Sequence, residues 1–483
     1  MAGNDPALKR WAILKRPYGA PLPMTDHAFQ HCIIPACGQS YAVDDVLFAC
    51  RKCGALLDVR YDWDLARPPD TLSFFDARRA AATGRPGTGP DSSGVWRFRE
   101  LLPFARDDDL ATIGEGRTLL QQADELAAAI GIKPGRLFLQ YEGFNPSGSF
   151  KDNGMAAAFT IARRLGKRRV ACASTGNTSA SLALYAHHTA AAGQQMEAVV
   201  FVGGGKIALG KLAQALDYGA RTLQIEGDFD TCMELIQRSA HRLDLYVMNS
   251  VNPFRLEGQK TIIYRVLEGL NWEVPDWIIV PGGNLGNSSA FGKALVELRD
   301  LGLIDRLPRL AIINAEGANT LYELYNDHHI RFDGGKVGHH TADAYFAMIV
   351  AEGRSARTVA SAIEIGRPVN LIKALRSLEW LSGVVEQVAD EVILDGKALV
   401  GRYGYGCEPA SGASIAGLRR LLDTQVISPT DRVVCILTGH GLKDPQVTVA
   451  YHTDRRPPAA RAFPNPPVAV AADIEAIESA LSK

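Results

Sequence analysis

Apolar residues fall in short β-rich runs that alternate with helix-period stretches over most of the chain. LFLQY, RRVACA, MEAVVFV, RTLQI, DLYVMN, DWIIV and LAIINA read as buried strands, being short, rich in branched or aromatic side chains, and bounded by polar or turn residues. Between them NTSASLALYAHH, a stretch reaching Lys211, one ending before Leu243, LEGQKTIIYRVLEGL and GNSSAFGKALVELRDLG carry helical spacing. This alternation predicts an α/β fold of parallel strands and crossover helices, with binding sites at the carboxyl ends of the strands. DRVVCILTGHG adds a last buried strand, and RRPPAARAFPNPP reads as an extended surface tail before a short closing helix. The expected division is a cysteine-bearing ribbon at 25–63, a glycine- and proline-rich linker at 64–94, a main body at 95–450 and a tail at 451–483.

At 483 residues the chain exceeds one ordinary core of ~100 to 200 residues, so two or three packed units are expected. Hydrophobic side chains at 47% and charged ones at 22% are the balance of a globular protein, neither disordered nor membrane-embedded. No apolar run approaches the ~20 residues needed to cross a bilayer. The opening MAGNDPALKRW has no apolar targeting core, so a cytoplasmic location without a membrane partner is expected. With 52 basic against 53 acidic side chains there is no broad cationic field for nucleic acid, and anion recognition must be local.

Four of the eight cysteines cluster: Cys32 and Cys37, then Cys50 and Cys53, with Gly38 and Gly54 closing each pair. Two such knuckles can surround one tetrahedral zinc, and a closed four-thiolate shell would make that zinc structural; four reduced thiols in a small β element are the other reading. GKIALGK at 205–211 fits the start of a nucleotide-binding phosphate loop, but Leu212 stands where a magnesium-binding hydroxyl is required.

Several polar positions at predicted strand ends could carry chemistry. Lys151 follows LFLQY and the turn NPSGS, where burial would favour the neutral, nucleophilic amine, although a solvated surface lysine has the same local sequence. Pro281 to Asn287, PGGNLGN, leads from a strand into a helix; Gly282, Gly283, Gly286 and the amides of Asn284, Leu285 and Asn287 could cradle a phosphate, or simply form a tight turn. Ser174, Thr175, Asn177 and Thr178 in ASTGNTSAS suit a carboxylate and a ring hydroxyl, or cap a helix. Thr438 ends the last strand, and NSVNPFRLEGQKT offers Ser250 and Arg255 as a hydroxyl and a guanidinium fork for phosphate oxygens.

NPSGSFKDNG closely resembles the Schiff-base lysine motif of threonine synthases, a family of fold-type II pyridoxal-phosphate enzymes, with Asn153 in place of the arginine common there. ASTGNTSAS, PGGNLGN, NSVNPFRLEGQKT and CILTGHG resemble further motifs of that family in the same order, over roughly Val95 to Pro445. The resemblance implies two open parallel-sheet α/β domains, the smaller at about 152–255, with pyridoxal 5′-phosphate between them. It implies Lys151 as the catalytic lysine, Asn177 at the ring O3′, Thr438 at the pyridine nitrogen and residues 282–287 around the cofactor phosphate. Ser174, Thr175 and Thr178 would line the amino-acid carboxylate site, and Ser250 and Arg255, with Asn284, would bind the substrate phosphate. GEGRTLL resembles another family motif, with Leu119 replacing its proline, and makes Thr118 a substrate contact. The implied activity is a lyase reaction, O-phosphohomoserine and water giving threonine and phosphate, in a homodimer. A related enzyme acting on phosphoserine, a threonine dehydratase, a cofactor-binding regulator without turnover and a zinc-ribbon docking module are the rival readings.

Overall fold

The computed structural model describes residues 27–83, 89–188, 196–204, 209–227, 229–337, 339–454 and 461–482. Parts of the expected ribbon start, the glycine-rich linker, the phosphate-loop-like segment at 205–208 and the RRPPAA stretch of the tail lie outside the described residues.

Among the described residues thirteen strands follow in order: β1 Ala28–Cys32, β2 Ser40–Tyr41, β3 Leu57–Tyr61, β4 Leu119–Gln122, β5 Leu137–Tyr141, β6 Arg169–Ala173, β7 Glu197–Gly203, β8 Arg221–Ile225, β9 Leu245–Val247, β10 Trp277–Pro281, β11 Arg309–Ala315, β12 Val384–Val388 and β13 Val433–Leu437. They form three sheets, in the orders β2-β1-β3, β8-β7-β6-β9 and β12-β11-β10-β13-β5-β4. The first is an antiparallel ribbon and the second wholly parallel. The third is parallel except for β4, which runs antiparallel on β5. The α/β architecture expected from the alternating pattern is therefore present. The antiparallel β4 was not expected, because two polar and two leucine positions make a weak strand signal.

Strand order decides where a site can form. In the parallel sheet β7 and β8 lie on one side of β6 and β9 on the other; in the large sheet β11 and β12 lie on one side of β10 and β13 on the other. At each such reversal the loops leaving neighbouring strands diverge and leave a crevice at the carboxyl edge. The loops after β6, β9, β10 and β13 hold nearly all the candidate residues.

The sheets are tied together by the helix Pro253–Gly269, capped by Asn252, whose side chain accepts from the Phe254 amide at 3.0 Å, with Pro253 in the first turn. Its residues from Pro253 to Glu268 are all buried. Gly258 lets it cross the Lys151–Arg164 helix at backbone contact: a Cβ there would sit 2.0 Å from the Asn153 carbonyl oxygen.

The linker expected at 64–94 is partly structured: it carries helices Trp63–Ala66 and Phe74–Thr83, and Phe75 packs on Phe98 with ring centroids 5.0 Å apart. The ribbon also engages the body. Asp58 on β3 is buried against Lys373 at 3.1 Å and Arg376 at 2.6 Å, and Tyr61 donates to Glu257.

Gly258→Ala forces backbone apart at that crossing and is expected to cost about 3 kcal/mol, read as a lowered urea midpoint. Gly401→Ala, where an added Cβ meets nothing within 4 Å, leaves the midpoint unchanged or raises it.

Candidate active site

Lys151 opens its helix directly after the turn Asn145–Phe150, and the turn is held by buried polar bonds rather than by apolar packing. The Asp152 carboxylate accepts from the Ser147 amide at 2.7 Å and from the Ser181 hydroxyl. Glu142, just past β5, accepts from Arg265 at 2.7 Å, Asn153 at 2.7 Å, Asn145 and Gln140 at 2.8 Å, and Thr118 at 2.9 Å. Burial alone would raise the Glu142 carboxyl, but Arg265 and these donors hold it below the ordinary range. Asn153, which stands where the related motif has arginine, thus leaves the charge of Glu142 to be met by Arg265 from the Pro253–Gly269 helix.

The Lys151 amine points into a cleft of about 880 Å³ and lies 4.2 Å from the Phe150 ring centroid. It makes no hydrogen bond or ion pair with the described residues. Enclosure by protein, and then the charge of Arg255, bring its pKa down to about 7, against the opposing pull of Glu408. A lysine held so is substantially an amine near neutral pH and can act as nucleophile or base.

The cleft brings together Lys151, Ser174, Thr175, Asn177, Thr178, Ser250, Arg255, residues 283–287 and Thr438. Asn249 stitches the loops after β6 and β9 by exchanging two hydrogen bonds with Ala173, at 3.0 and 2.9 Å. Arg255 is 1% exposed and spends one nitrogen on the Met248 carbonyl at 2.7 Å; its Nε and Nη2 are buried without a partner among the described residues, as are Ser250 Oγ, Gln259 Oε1 and Asn287 Oδ1 nearby. Burial lowers the guanidinium pKa to about 10, so it stays charged and needs an anion. The helix Gly286–Asp300 starts at the same cleft, where first-turn amides have no intrahelical acceptor. Leu285 takes φ of +61° to turn the chain into that helix, and a Cβ on Gly283 would lie 2.9 Å from Ile363 Cα.

Two expected site residues are not brought to the cleft. Thr118 is engaged by Glu142, Gln140 and Arg265, which makes it a structural hydroxyl. The Gly282 amide donates to Ile313 at 2.7 Å and its carbonyl accepts from Asn314 at 2.7 Å, so it extends the sheet edge and has no amide left for a phosphate. Asn284 faces the cleft but its Oδ1 accepts from the Val369 amide at 2.8 Å, leaving only its NH2 for a ligand.

Sequence reasoning missed Glu408. It lines the cleft at the head of the helix Pro409–Asp423, and its carboxylate accepts from Asn177 and from Thr438, both at 2.8 Å. A glutamate before proline at a helix start reads as an ordinary cap, and nothing in its neighbours marks it otherwise.

The cysteine quartet lies apart from the cleft. The sulfurs of Cys32, Cys37, Cys50 and Cys53 are all within 4.8 Å of one another, and Gly38 and Gly54 close the two knuckles at φ of +63° and +74°.

Residues 111–439 match the family described as pyridoxal-phosphate dependent enzymes. The chain is 41% identical to a threonine synthase of Methanocaldococcus jannaschii, covering 87% of this chain and 94% of that protein. It is equally 41% identical to one of Methanosarcina acetivorans, covering 92% and 97%. Among solved structures, threonine synthase from Escherichia coli superposes with a TM-score of 0.60 at 16% identity, over 94% of this chain and 99% of that one, a likeness of fold. The cleft suits such a cofactor: an amine for its aldehyde, helix-start amides for its phosphate, and the Asn177 amide and Thr438 hydroxyl for its ring.

In cofactor-free protein Lys151 is expected to react with an amine-directed reagent with a half-point near its pKa of about 7, whereas exposed lysines titrate near ~10.4. Mass-spectrometric labelling across pH checks this; a half-point for Lys151 matching the surface lysines contradicts it.

Proposed function

The chain belongs to the threonine synthase family of pyridoxal-phosphate dependent enzymes, and from that premise we propose that its cleft converts O-phospho-L-homoserine and water to L-threonine and inorganic phosphate. The observation that carries this reading is the juxtaposition of a neutral-leaning Lys151 with a buried Arg255 whose Nε and Nη2 have no partner among the described residues. One group does the covalent and proton chemistry and the other demands a second anion beyond the cofactor's own phosphate.

Pyridoxal phosphate, when bound, supplies an aldehyde for amines and a ring that stabilises negative charge at the adjoining carbon. Residues 283–287 would hold its phosphate, with Asn177 and Thr438 at its ring. Lys151 is the group we assign to moving protons: it takes one from the substrate Cα and, once protonated, can return it further along the carbon chain. Arg255 and Ser250 grip the leaving phosphate, and their charge and hydrogen bonds favour the dianion as the C–O bond breaks. The NH2 of Asn284 can add a donor. Ser174, Thr175 and Thr178 orient the substrate carboxylate at the start of the helix Asn177–His188. Water then adds at Cβ, so the products contain all atoms of phosphohomoserine plus one water. The sheet β8-β7-β6-β9, within residues 152–255, is the unit we assign as the smaller domain, and its approach to the large sheet would exclude water before that step.

We further infer one structural zinc in the four-thiolate ribbon, supported by the mutual proximity of the sulfurs. A cytoplasmic homodimer is the form that the family resemblance supports. No helix among the described residues is long and apolar enough to cross a membrane.

Incubation with pyridoxal phosphate and O-phosphohomoserine should yield threonine and phosphate in equal amounts, and not the products of phosphoserine turnover or threonine dehydration. Lys151→Ala should lower kcat by roughly 10²–10⁴-fold or more. Arg255→Leu should lower kcat/KM for the phosphorylated substrate by about 30-fold or more, the cost of losing a buried charged partner. Release of phosphate from phosphoserine at a comparable kcat/KM would sink the assignment.

Metal analysis of the purified chain should find about one zinc per chain, lost in Cys50→Ser together with a fall in Tm. An unchanged Tm and no metal in either protein would rule the ribbon site out.

A further inference from the structure

Glu408 is 3% exposed, yet among the described residues its two carboxylate oxygens have no cation close enough to form an ion pair. They serve two neutral side chains, accepting from Asn177 Nδ2 and Thr438 Oγ1 at 2.8 Å each. Burying an anion for two neutral partners is costly unless it does something for them. The site is also built to admit it. Gly439, packed against it, has no room for a side chain, since a Cβ there would fall 2.5 Å from the Glu408 carboxyl carbon. The Glu408 amide is fixed to the Gly439 carbonyl at 3.0 Å.

Counting protons along this chain assigns a direction to each bond. Ser411 Oγ accepts from the Thr438 amide at 2.8 Å and the Gly439 amide at 3.3 Å, which uses both its lone pairs. Its own proton therefore goes to Thr438 Oγ1, 3.1 Å away. Thr438 in turn gives its proton to Glu408. The Thr438 oxygen is left with one lone pair and no proton for the cleft, so toward a ligand it can only accept. Asn177 spends one amide hydrogen on Glu408 and keeps one for a ring oxygen.

We propose that Glu408 is a positioning residue for the reaction: through Thr438 it compels the cofactor's ring nitrogen to be the hydrogen-bond donor, hence protonated, and through Asn177 it aims a donor at the ring oxygen. This inference rests on the function proposed above. A bare hydroxyl can donate or accept, but one whose proton is claimed by a carboxylate cannot donate. A protonated ring nitrogen withdraws electrons more strongly, which suits a reaction that must hold charge through both a γ-elimination and a β-addition.

The test is the ¹⁵N NMR shift of ring-labelled pyridoxal phosphate bound to the full chain, at pH 7.5, a condition chosen near neutrality. Wild-type protein should place the nitrogen in the pyridinium range. Glu408→Gln keeps the shape but can donate to Thr438, freeing that hydroxyl to donate in its turn, and should move the signal toward neutral pyridine. Glu408→Asp, which keeps a carboxylate, should keep the pyridinium position. Glu408→Gln should also bind pyridoxal phosphate about tenfold more weakly, the loss of one charge-assisted hydrogen bond. A neutral nitrogen in wild type or in Glu408→Asp overturns the proposal without reliance on the glutamine variant. So does an identical shift in wild type and Glu408→Gln, the result expected if the carboxylate swings aside when the cofactor enters. If wild-type protein takes up no pyridoxal phosphate, the proposed function itself falls and this inference with it, an outcome distinct from binding with the wrong shift.

Discussion

The buried ion pair between Glu142 and Arg265 is the constraint on which the rest of the architecture depends. Glu142 follows β5, Arg265 sits on the buried helix Pro253–Gly269, and Asn153 of the Lys151 helix donates to the same carboxylate. The end of β5 and the start of the Lys151 helix, 11 residues apart, are thereby fixed to a helix 123 residues from Glu142, at a point close in sequence to the reactive amine. Pairs of this kind are marginal when complete but cost about 3–5 kcal/mol when one partner is removed, because the other charge is left buried and alone. Complementary polar groups therefore set the position of Lys151 more sharply than apolar packing could, since a hydrophobic contact has no preferred direction.

That positioning matters because the amine lies beside a buried guanidinium that no carboxylate among the described residues pairs with. Lys151 is depressed by enclosure and by Arg255, while Arg255 retains two unpartnered nitrogens. Each cation makes the other more costly, and a ligand bearing anions relieves both. A substrate with a phosphate at one end and an amino-acid group at the other satisfies this arrangement in one binding event. Glu408 is the cleft's own counterweight, placed where it orients neutral groups instead of quenching either cation.

The ribbon extends the same logic outward. Asp58 is set between Lys373 and Arg376, on the helix Leu371–Trp380, whose preceding Asn370 donates to the Asn284 and Ser250 carbonyls at 3.3 and 3.2 Å. The cysteine-bearing element is thus joined by one helix to the floor of the anion site. A small three-stranded element has little surface to bury by itself, and this docking adds buried contacts to it.

The sequence by itself determined the alternation of strands and helices, the strand-end location of the polar motifs and the cysteine quartet, because each is written in local periodicity and spacing. It also determined the family, because several motifs recur in order. What only the tertiary structure decided is which polar groups meet. Thr118 and Gly282 carry the right chemistry, yet sheet pairing and the Glu142 network consume their hydrogen bonds. Glu408, silent in sequence, joins the site because the fold sets the head of the helix Pro409–Asp423 against Thr438, just after β13, and Asn177, just after β6. Hydrogen-bonding capacity belongs to each residue, but whether it is spent inside the fold or offered to a ligand depends on partners that lie from 22 to 231 residues away along the chain.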